Sequence, residues 1–364
     1  MSIDWNQIRS RYQLPNQRIY FNTASFGAMS NQTVQVQKEC LELWQSEGNR
    51  LNKRTTEAAK KIRKEVLDLT NAKNHGVAIV PDVSTAMNQL AEVLKDKKKV
   101  ALLKTDYPAT STPWMARGFD IEWVERRGFG FELEDIEEAI TNGSEILVLS
   151  WVMYNSGVRL DLKAIGELCK KHEVVFIVDA TQGLVANPLD LSEIYVDIVL
   201  ASAFKWMLGG YGISVAIASD EFISNHNIPF AGQNTIIDNE KDVEVIDNYR
   251  QGIERLELGH FKIQQVLALE SSLLELKHIG FENIHDRTIR LRDCLIGSLR
   301  AIEVDVITPE PLSSNILMIK GSPERVASLE EANVDFTFRH GLIRLGVYFY
   351  NNEVDIQRLI QALK

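Results

Sequence analysis

Cysteine is scarce in this chain. There are three in 364 residues, Cys40, Cys169 and Cys294, far apart and with no CxxC pair. An odd count at such spacing excludes a disulfide framework and a cysteine–zinc site, and a reduced, cytoplasmic protein is expected. The seven histidines form no HxxxH pair, so no metal site is expected. No uninterrupted apolar run approaches membrane-spanning length. The opening stretch MSIDWNQIRSRYQLP carries no apolar core, and no signal peptide is expected. A basic excess is missing too. The net charge of −10 speaks against nucleic-acid or anionic-membrane binding. The one dense basic run, KDKKK at 95–99, reads as a solvated loop between a helix and a strand. Internal repeats and low-complexity linkers are absent as well.

What is present is a long alternation of helical and strand patterns. QTVQVQKECLELWQ, EAAKKIRKEVLDLTNA, PDVSTAMNQLAEVL and LDLKAIGELCKKH read as helices. GVAIV, KVALLK, EILVLSWV, EVVFIVDA, VDIVLASA and GISVAIAS read as strands, several of them wholly apolar. Such strands between helices predict a mainly parallel sheet covered on both faces, an α/β fold. After residue 250 the pattern changes. A long helix, HFKIQQVLALESSLLELKHIG, closes at Gly280, a C-cap residue by type. A second helix, IHDRTIRLRDCLIGSLRAI, is followed by strands NILMIK and LIRLGVYF and a last helix, EVDIQRLIQALK. These predict a large domain over 15–280 and a small α+β domain over 281–364, joined by 1–14.

Ligands in parallel sheets bind beyond the carboxyl ends of the strands. Two residues stand out there. Asp179 ends VVFIV, where a carboxylate is costly unless paired; a helix N-cap, a metal ligand and the counter-ion of a buried cation all satisfy that demand. Lys205 lies one strand later, between Phe204 and Trp206, as a snorkelling side chain or as an amine held in an apolar pocket. A carboxylate and an amine on either side of a small cofactor form the arrangement pyridoxal phosphate needs. The amine bonds its aldehyde, and the acid keeps the pyridinium nitrogen charged. Ser84 and Thr85 open a helix, where two hydroxyls and free N–H groups favour a dianion, or simply cap the helix. The glycines at 209–212 lack GxGxxG order, which argues against a dinucleotide site.

The run VDATQG…DIVLASAFKW…GG.G resembles the class V aminotransferase family of fold type I pyridoxal-phosphate enzymes, which includes cysteine desulfurases, kynureninase and isopenicillin N epimerase. The likeness extends through RIYFNTASFGAMS, VSTAMNQL, DYPATSTPW, SWVMYNSGVRLDLKAIGELC, IERLELGHF and IRLGVYFYNNEVDIQRLIQAL, nearly the whole chain. The resemblance implies a seven-stranded large-domain sheet and a homodimer with the site shared across the interface. It makes Lys205 the Schiff-base lysine and Asp179 the pyridinium partner. It gives Gln182 a bond to the phenolic oxygen of the cofactor, and Ser84, Thr85 and Ser202 its phosphate. Tyr107 matches the stacking aromatic. Gly259 and His260 match a Gly–Thr pair that reaches the phosphate of the neighbouring subunit. Arg344 matches the arginine that grips the substrate α-carboxylate, with Asn22 and Asn155 as further substrate contacts. Either Tyr154 or Asn155 faces the cofactor. Arg159 and Arg339 stand equally as substrate helpers or surface residues.

Departures narrow the expectation. Phe204 replaces the family's common histidine before the lysine, and His260 replaces threonine. The segment from NVDFTFRHG to LIRLG is too short for the mobile loop that carries the desulfurase cysteine, and no cysteine lies in it. The expected activity is an aminotransferase or lyase acting on a small amino acid, with an epimerase or kynureninase-like hydrolase as the alternative. A binding or sensor protein that keeps the fold without catalysis is the alternative of another class.

Overall fold

The computed structural model describes residues 3–12, 14, 18–237, 248–309 and 314–364. Its centre is a seven-stranded sheet. The spatial order is His75–Val80, Ser214–Ser219, Ile198–Ser202, Val175–Asp179, Ile146–Ser150, Lys99–Leu103 and Asp120–Val124. All neighbouring pairs are parallel except those of Ser214–Ser219, which runs antiparallel to both its neighbours. The reason is the connection before it. Parallel strands need a crossover of a dozen or more residues, usually a helix. The link 203–213 contains no helix, so the chain turns back beside the strand it has just left. Lys205 sits on that turn.

The central strands are buried on both faces. Leu147, Leu149, Phe176, Val178, Val199 and Ala201 face one core, with helices Leu51–Leu69, Leu162–Lys171 and Ile263–Ile279. The alternate residues Ile146, Val148, Val175, Ile177, Ile198 and Leu200 face the other, with helices Val83–Val93 and Pro108–Ala116. This period-two division explains why these runs carry no polar residue until they end.

Several elements escape the sequence patterns. Strand Asp120–Val124 is an edge strand with Asp120 and Glu122 in it, so it lacks an apolar run. Helix Pro108–Ala116 opens with one proline and contains Pro113, and helix Leu133–Thr141 is short.

A second, three-stranded antiparallel sheet follows, in the order Thr337–Arg339, Leu342–Gly346, Ile316–Lys320. Helices Phe281–Arg300, Pro323–Glu331 and Glu353–Leu363 pack on it through Leu291, Leu295, Leu299, Leu329, Ile356 and Leu359. Strand Ile19–Tyr20 pairs in parallel with Val334–Asp335, and Ile19 and Phe21 enter this C-terminal core. The chain therefore passes through the small unit before it builds the large sheet. Gly280 ends helix Ile263–Ile279 at φ 94°, its N–H bonded to Leu276 O, as the C-cap reading expects. Among the described residues, no helix is long and apolar enough to cross a membrane.

Candidate active site

Three adjacent parallel strands end in Ser150, Asp179 and Ser202. All three residues line one cavity of about 290 Å³, together with Ser84, Tyr107, Gln182 and Lys205. Six of the residues picked from sequence for the cofactor thus converge on the carboxyl edge of the sheet.

Asp179 is buried and accepts the Thr181 N–H at Oδ1, 2.8 Å. Burial pushes its carboxyl upward, and the Thr181 hydroxyl and N–H and the Lys205 charge pull it down. Lys205 is pushed down to about 8, first by burial; Asp179 raises it and Arg344 lowers it further. The Lys205 amine stands 5.7 Å from the Tyr107 ring centroid and 5.6 Å from that of Phe204. Among the described residues it has no ion-pair partner. What exposure it keeps is to the cavity, so the snorkelling alternative gives way to an enclosed amine facing an acid. Phe204 stacks on Tyr211, centroids 4.1 Å apart, which dries this wall.

Gln182 is fixed from both ends. Its Oε1 accepts the Trp206 indole N–H at 2.8 Å, and its Nε2 donates to Ala24 O at 2.9 Å, which leaves one amide proton for the cavity. Thr181 also ties two strands together, since its Oγ1 accepts the Ser202 N–H at 3.0 Å. Tyr107 is the N-cap residue of helix Pro108–Ala116, and its ring meets Tyr154 edge-on at 5.4 Å.

Ser84 faces this cavity; Thr85 does not. Asp82 caps helix Val83–Val93 by accepting the Thr85 N–H at 2.7 Å, and the Thr85 hydroxyl donates to the same carboxylate at 3.1 Å. Thr85 instead lines a neighbouring pocket with Gly259 and His260. The structure does not bring these three to the Lys205 cavity within one subunit. The first-turn N–H groups of Val83 and Ser84 have no intrahelical acceptor and stay open to an anion. Asp82 itself lines the cavity and opposes one. Asp82→Asn keeps an equally good cap and removes the charge. If the cavity takes the phosphate of the coenzyme that the family resemblance implies, this is expected to tighten binding of pyridoxal phosphate by about threefold to tenfold, read as a dissociation constant by fluorescence titration. Unchanged or weaker binding would show that the carboxylate does not face the phosphate.

A second cavity, of about 400 Å³, adjoins the first and shares Tyr154 with it. Arg344, from strand Leu342–Gly346, lines it. Its Nη1 donates to Tyr154 O at 3.1 Å, and its Nη2 to Ser25 Oγ at 2.6 Å and Thr337 Oγ1 at 3.2 Å. Its Nε is buried without a partner. Burial and the nearby Arg339 push Arg344 down to about 10. Asn22 supports it from behind, since Asn22 Oδ1 accepts the Thr337 hydroxyl at 2.9 Å. Asn155 lines this cavity too, with Nδ2 bonded to Thr105 O at 2.9 Å and Oδ1 buried and unpartnered.

Two residues here were missed by sequence reading. Asp106 is buried, accepts the N–H groups of Tyr107 at 2.6 Å and Ser150 at 2.8 Å, and is pushed up to about 6 chiefly by burial. It ties the Tyr107 turn to the end of a central strand. The signal was available, since Asp106 is a polar residue just past a buried strand, like Asp179. Arg126 lines the second cavity as well.

An enclosed amine and an acid at the carboxyl edge of a parallel sheet, beside an open helix N-terminus, define a coenzyme-dependent α/β enzyme. The family model Aminotransferase class-V matches residues 19–359, and the chain belongs to that family. It is a pyridoxal-phosphate-dependent enzyme. A probable cysteine desulfurase of Pyrococcus abyssi is 22% identical, the alignment covering 98% of this chain and 96% of the relative. An uncharacterized aminotransferase of Bacillus subtilis, YcbU, is 25% identical over 85% of this chain and 84% of its own. Among solved structures, a mutant of C-DES with glycine covalently linked to its PLP cofactor superposes with a TM-score of 0.88 at 17% identity, covering 100% of this chain and 99% of that one. That likeness is one of fold.

Proposed function

We propose that the chain acts on a small amino acid as an aminotransferase or lyase, with Lys205 carrying the coenzyme. The observation that bears this reading is the unpaired Lys205 amine facing the buried Asp179 across a cavity at the strand ends. Ser84, Ser202 and the N–H groups of Val83 and Ser84 are placed to take the phosphate. Gln182 has a free amide proton for the phenolic oxygen, Tyr107 offers a stacking face, and Asp179 is placed to hold the ring nitrogen protonated. When bound, pyridoxal phosphate supplies an electron sink for the charge left at Cα when a bond there breaks. Lys205, pushed down to about 8 chiefly by burial, is suited to take the Cα proton and return it elsewhere. Arg344 holds the α-carboxylate and fixes which Cα bond faces Lys205.

A desulfurase that works through an active-site cysteine fits poorly. Cys40 and Cys169 are buried, and Cys294 is exposed on helix Phe281–Arg300. None of the three lines either cavity. Strands Thr337–Arg339 and Leu342–Gly346 are joined by the tight turn His340–Gly341, both at positive φ, with no loop to carry a nucleophile. A homodimer belongs to the same reading. Exposed Phe26 and Tyr211 rings at the cavity rim, with exposed Leu258, Gly259 and His260 nearby, support a second copy packing there.

Borohydride reduction of the holoenzyme is expected to fix the coenzyme on Lys205, read by peptide mass. A parallel screen of amino acids for keto acid, sulfide and inverted enantiomer assigns the reaction type. Because the neutral amine is the nucleophile, coenzyme uptake should quicken as pH rises and level off above about 8. Arg344→Gln removes a positive neighbour and should move that midpoint upward. Coenzyme fixed on another lysine, or on none, defeats the reading.

A further inference from the structure

The second cavity holds more positive charge than one α-carboxylate needs. Arg126, Arg339 and Arg344 all line it, and His340 stands beside them. Among the described residues, none of the three guanidinium groups has a carboxylate partner. Among the described residues the one acid on the wall is Asp106, which already has both oxygens on backbone N–H groups. Arg126 is held by packing, its guanidinium 5.1 Å from the Phe129 ring centroid, while its Nε and Nη2 are buried with no hydrogen-bond partner. Arg339 is close enough to Arg344 to disfavour the charge of Arg344. Arg344 is buried, Arg126 half-buried and Arg339 exposed at the rim, and like charges gathered this way are better tolerated when an anion joins them. One α-carboxylate answers Arg344 and leaves the others unanswered.

We propose that the substrate is a short acidic amino acid, whose side-chain carboxylate is received by Arg126 and Arg339 while Arg344 takes the α-carboxylate. This rests on the reading that the Lys205 cavity acts on amino acids. It goes beyond that reading by naming the side chain. A guanidinium group favours a carboxylate as partner, and Arg126 lines the cavity with no ion pair among the described residues.

The test uses unreactive acids on the holoenzyme, so it does not depend on turnover. Succinate and glutarate are compared with propionate and butyrate by isothermal titration calorimetry. A charge-assisted pair is worth enough for the dicarboxylates to bind at least about tenfold tighter. Arg126→Gln is expected to bring that ratio below about twofold, and Arg126→Lys to restore part of it. Arg339→Gln should lower the ratio independently, which covers a poorly folded Arg126 variant. Dicarboxylates that bind no tighter than monocarboxylates overturn the proposal, as does a ratio unmoved in Arg126→Gln and Arg339→Gln alike. Borohydride trapping at Lys205 reports separately on the underlying reading. Trapping without dicarboxylate preference removes only the acidic-substrate assignment, and preference without trapping removes only the coenzyme assignment.

Discussion

Replacing Lys205 with alanine is expected to abolish covalent retention of the coenzyme and to slow turnover by at least about 10²–10⁴-fold, the usual contribution of a positioned acid–base group. The loss should fall on kcat, because the substitution leaves Arg344 and its network through Tyr154, Ser25 and Thr337, proposed above to hold the substrate, untouched. The fold should not suffer. Among the described residues Lys205 makes no ion pair, and burial disfavours its charged form. For a base whose folded pKa lies below its unfolded value, the folded state binds fewer protons. Near pH 7 the protonated amine is therefore a cost, relieved as pH rises. Compared as apo-proteins, because bound coenzyme would itself raise the melting temperature, the alanine variant should melt at the same temperature as the wild type or higher at pH 7. Added methylamine should restore a small part of the rate by supplying the missing base. Near-wild-type turnover in this variant would remove Lys205 from the chemistry. A large drop in melting temperature would mean that the lysine is a packing element.

The strand ends were the legible part of the site. A strand buried on both faces must be apolar throughout, so the polar residue that stops it is conspicuous; Asp179 was found that way, whereas Ser202, which ends its strand likewise, came only from the family likeness. Lys205 follows from the turn after Ser202. Arg344 and Gln182 came only from the family likeness, since nothing local to either residue points to a site. Thr85 shows where a sequence pattern fails. Consecutive helical residues differ by about 100° in direction, and the Asp82 cap sets which of them faces the cavity. Neither the exact cap nor the rotation is written in the run of hydroxyls. Arg126 was illegible for another reason. In VERRGFG it reads as a surface charge after an edge strand, and its cavity is completed by residues of the second sheet, about two hundred positions away. The antiparallel course of Ser214–Ser219 was hidden in the absence of a crossover helix.

The second large effect is on stability and lies away from the chemistry. Strand His75–Val80 is an edge of the large sheet, and an open edge invites pairing with another chain. Here a buried ion pair closes it. Glu257 Oε1 accepts the Ile79 N–H at 2.7 Å, and Arg63 Nε donates to Val77 O at 3.0 Å. Arg63 Nη2 lies 2.7 Å from each Glu257 oxygen. Arg63→Ala leaves a buried carboxylate without its counter-charge, and such breaks cost about 3–5 kcal/mol, against a whole-domain stability of about 5–15 kcal/mol. The pH dependence identifies the cause. Burial pushes Glu257 up to about 6 despite Arg63, and without Arg63 it rises further. A carboxyl raised above its unfolded value binds more protons in the folded state, so the penalty is absent at low pH and grows as pH passes the folded value. The deficit of Arg63→Ala in urea unfolding should therefore be large at pH 8 and clearly smaller at pH 5. Adding Glu257→Gln should recover much of it, since the amide keeps an acceptor for the Ile79 N–H and carries no charge. A deficit equal at both pH values, or undiminished in the double variant, would place the effect in lost packing of the Arg63 stem instead.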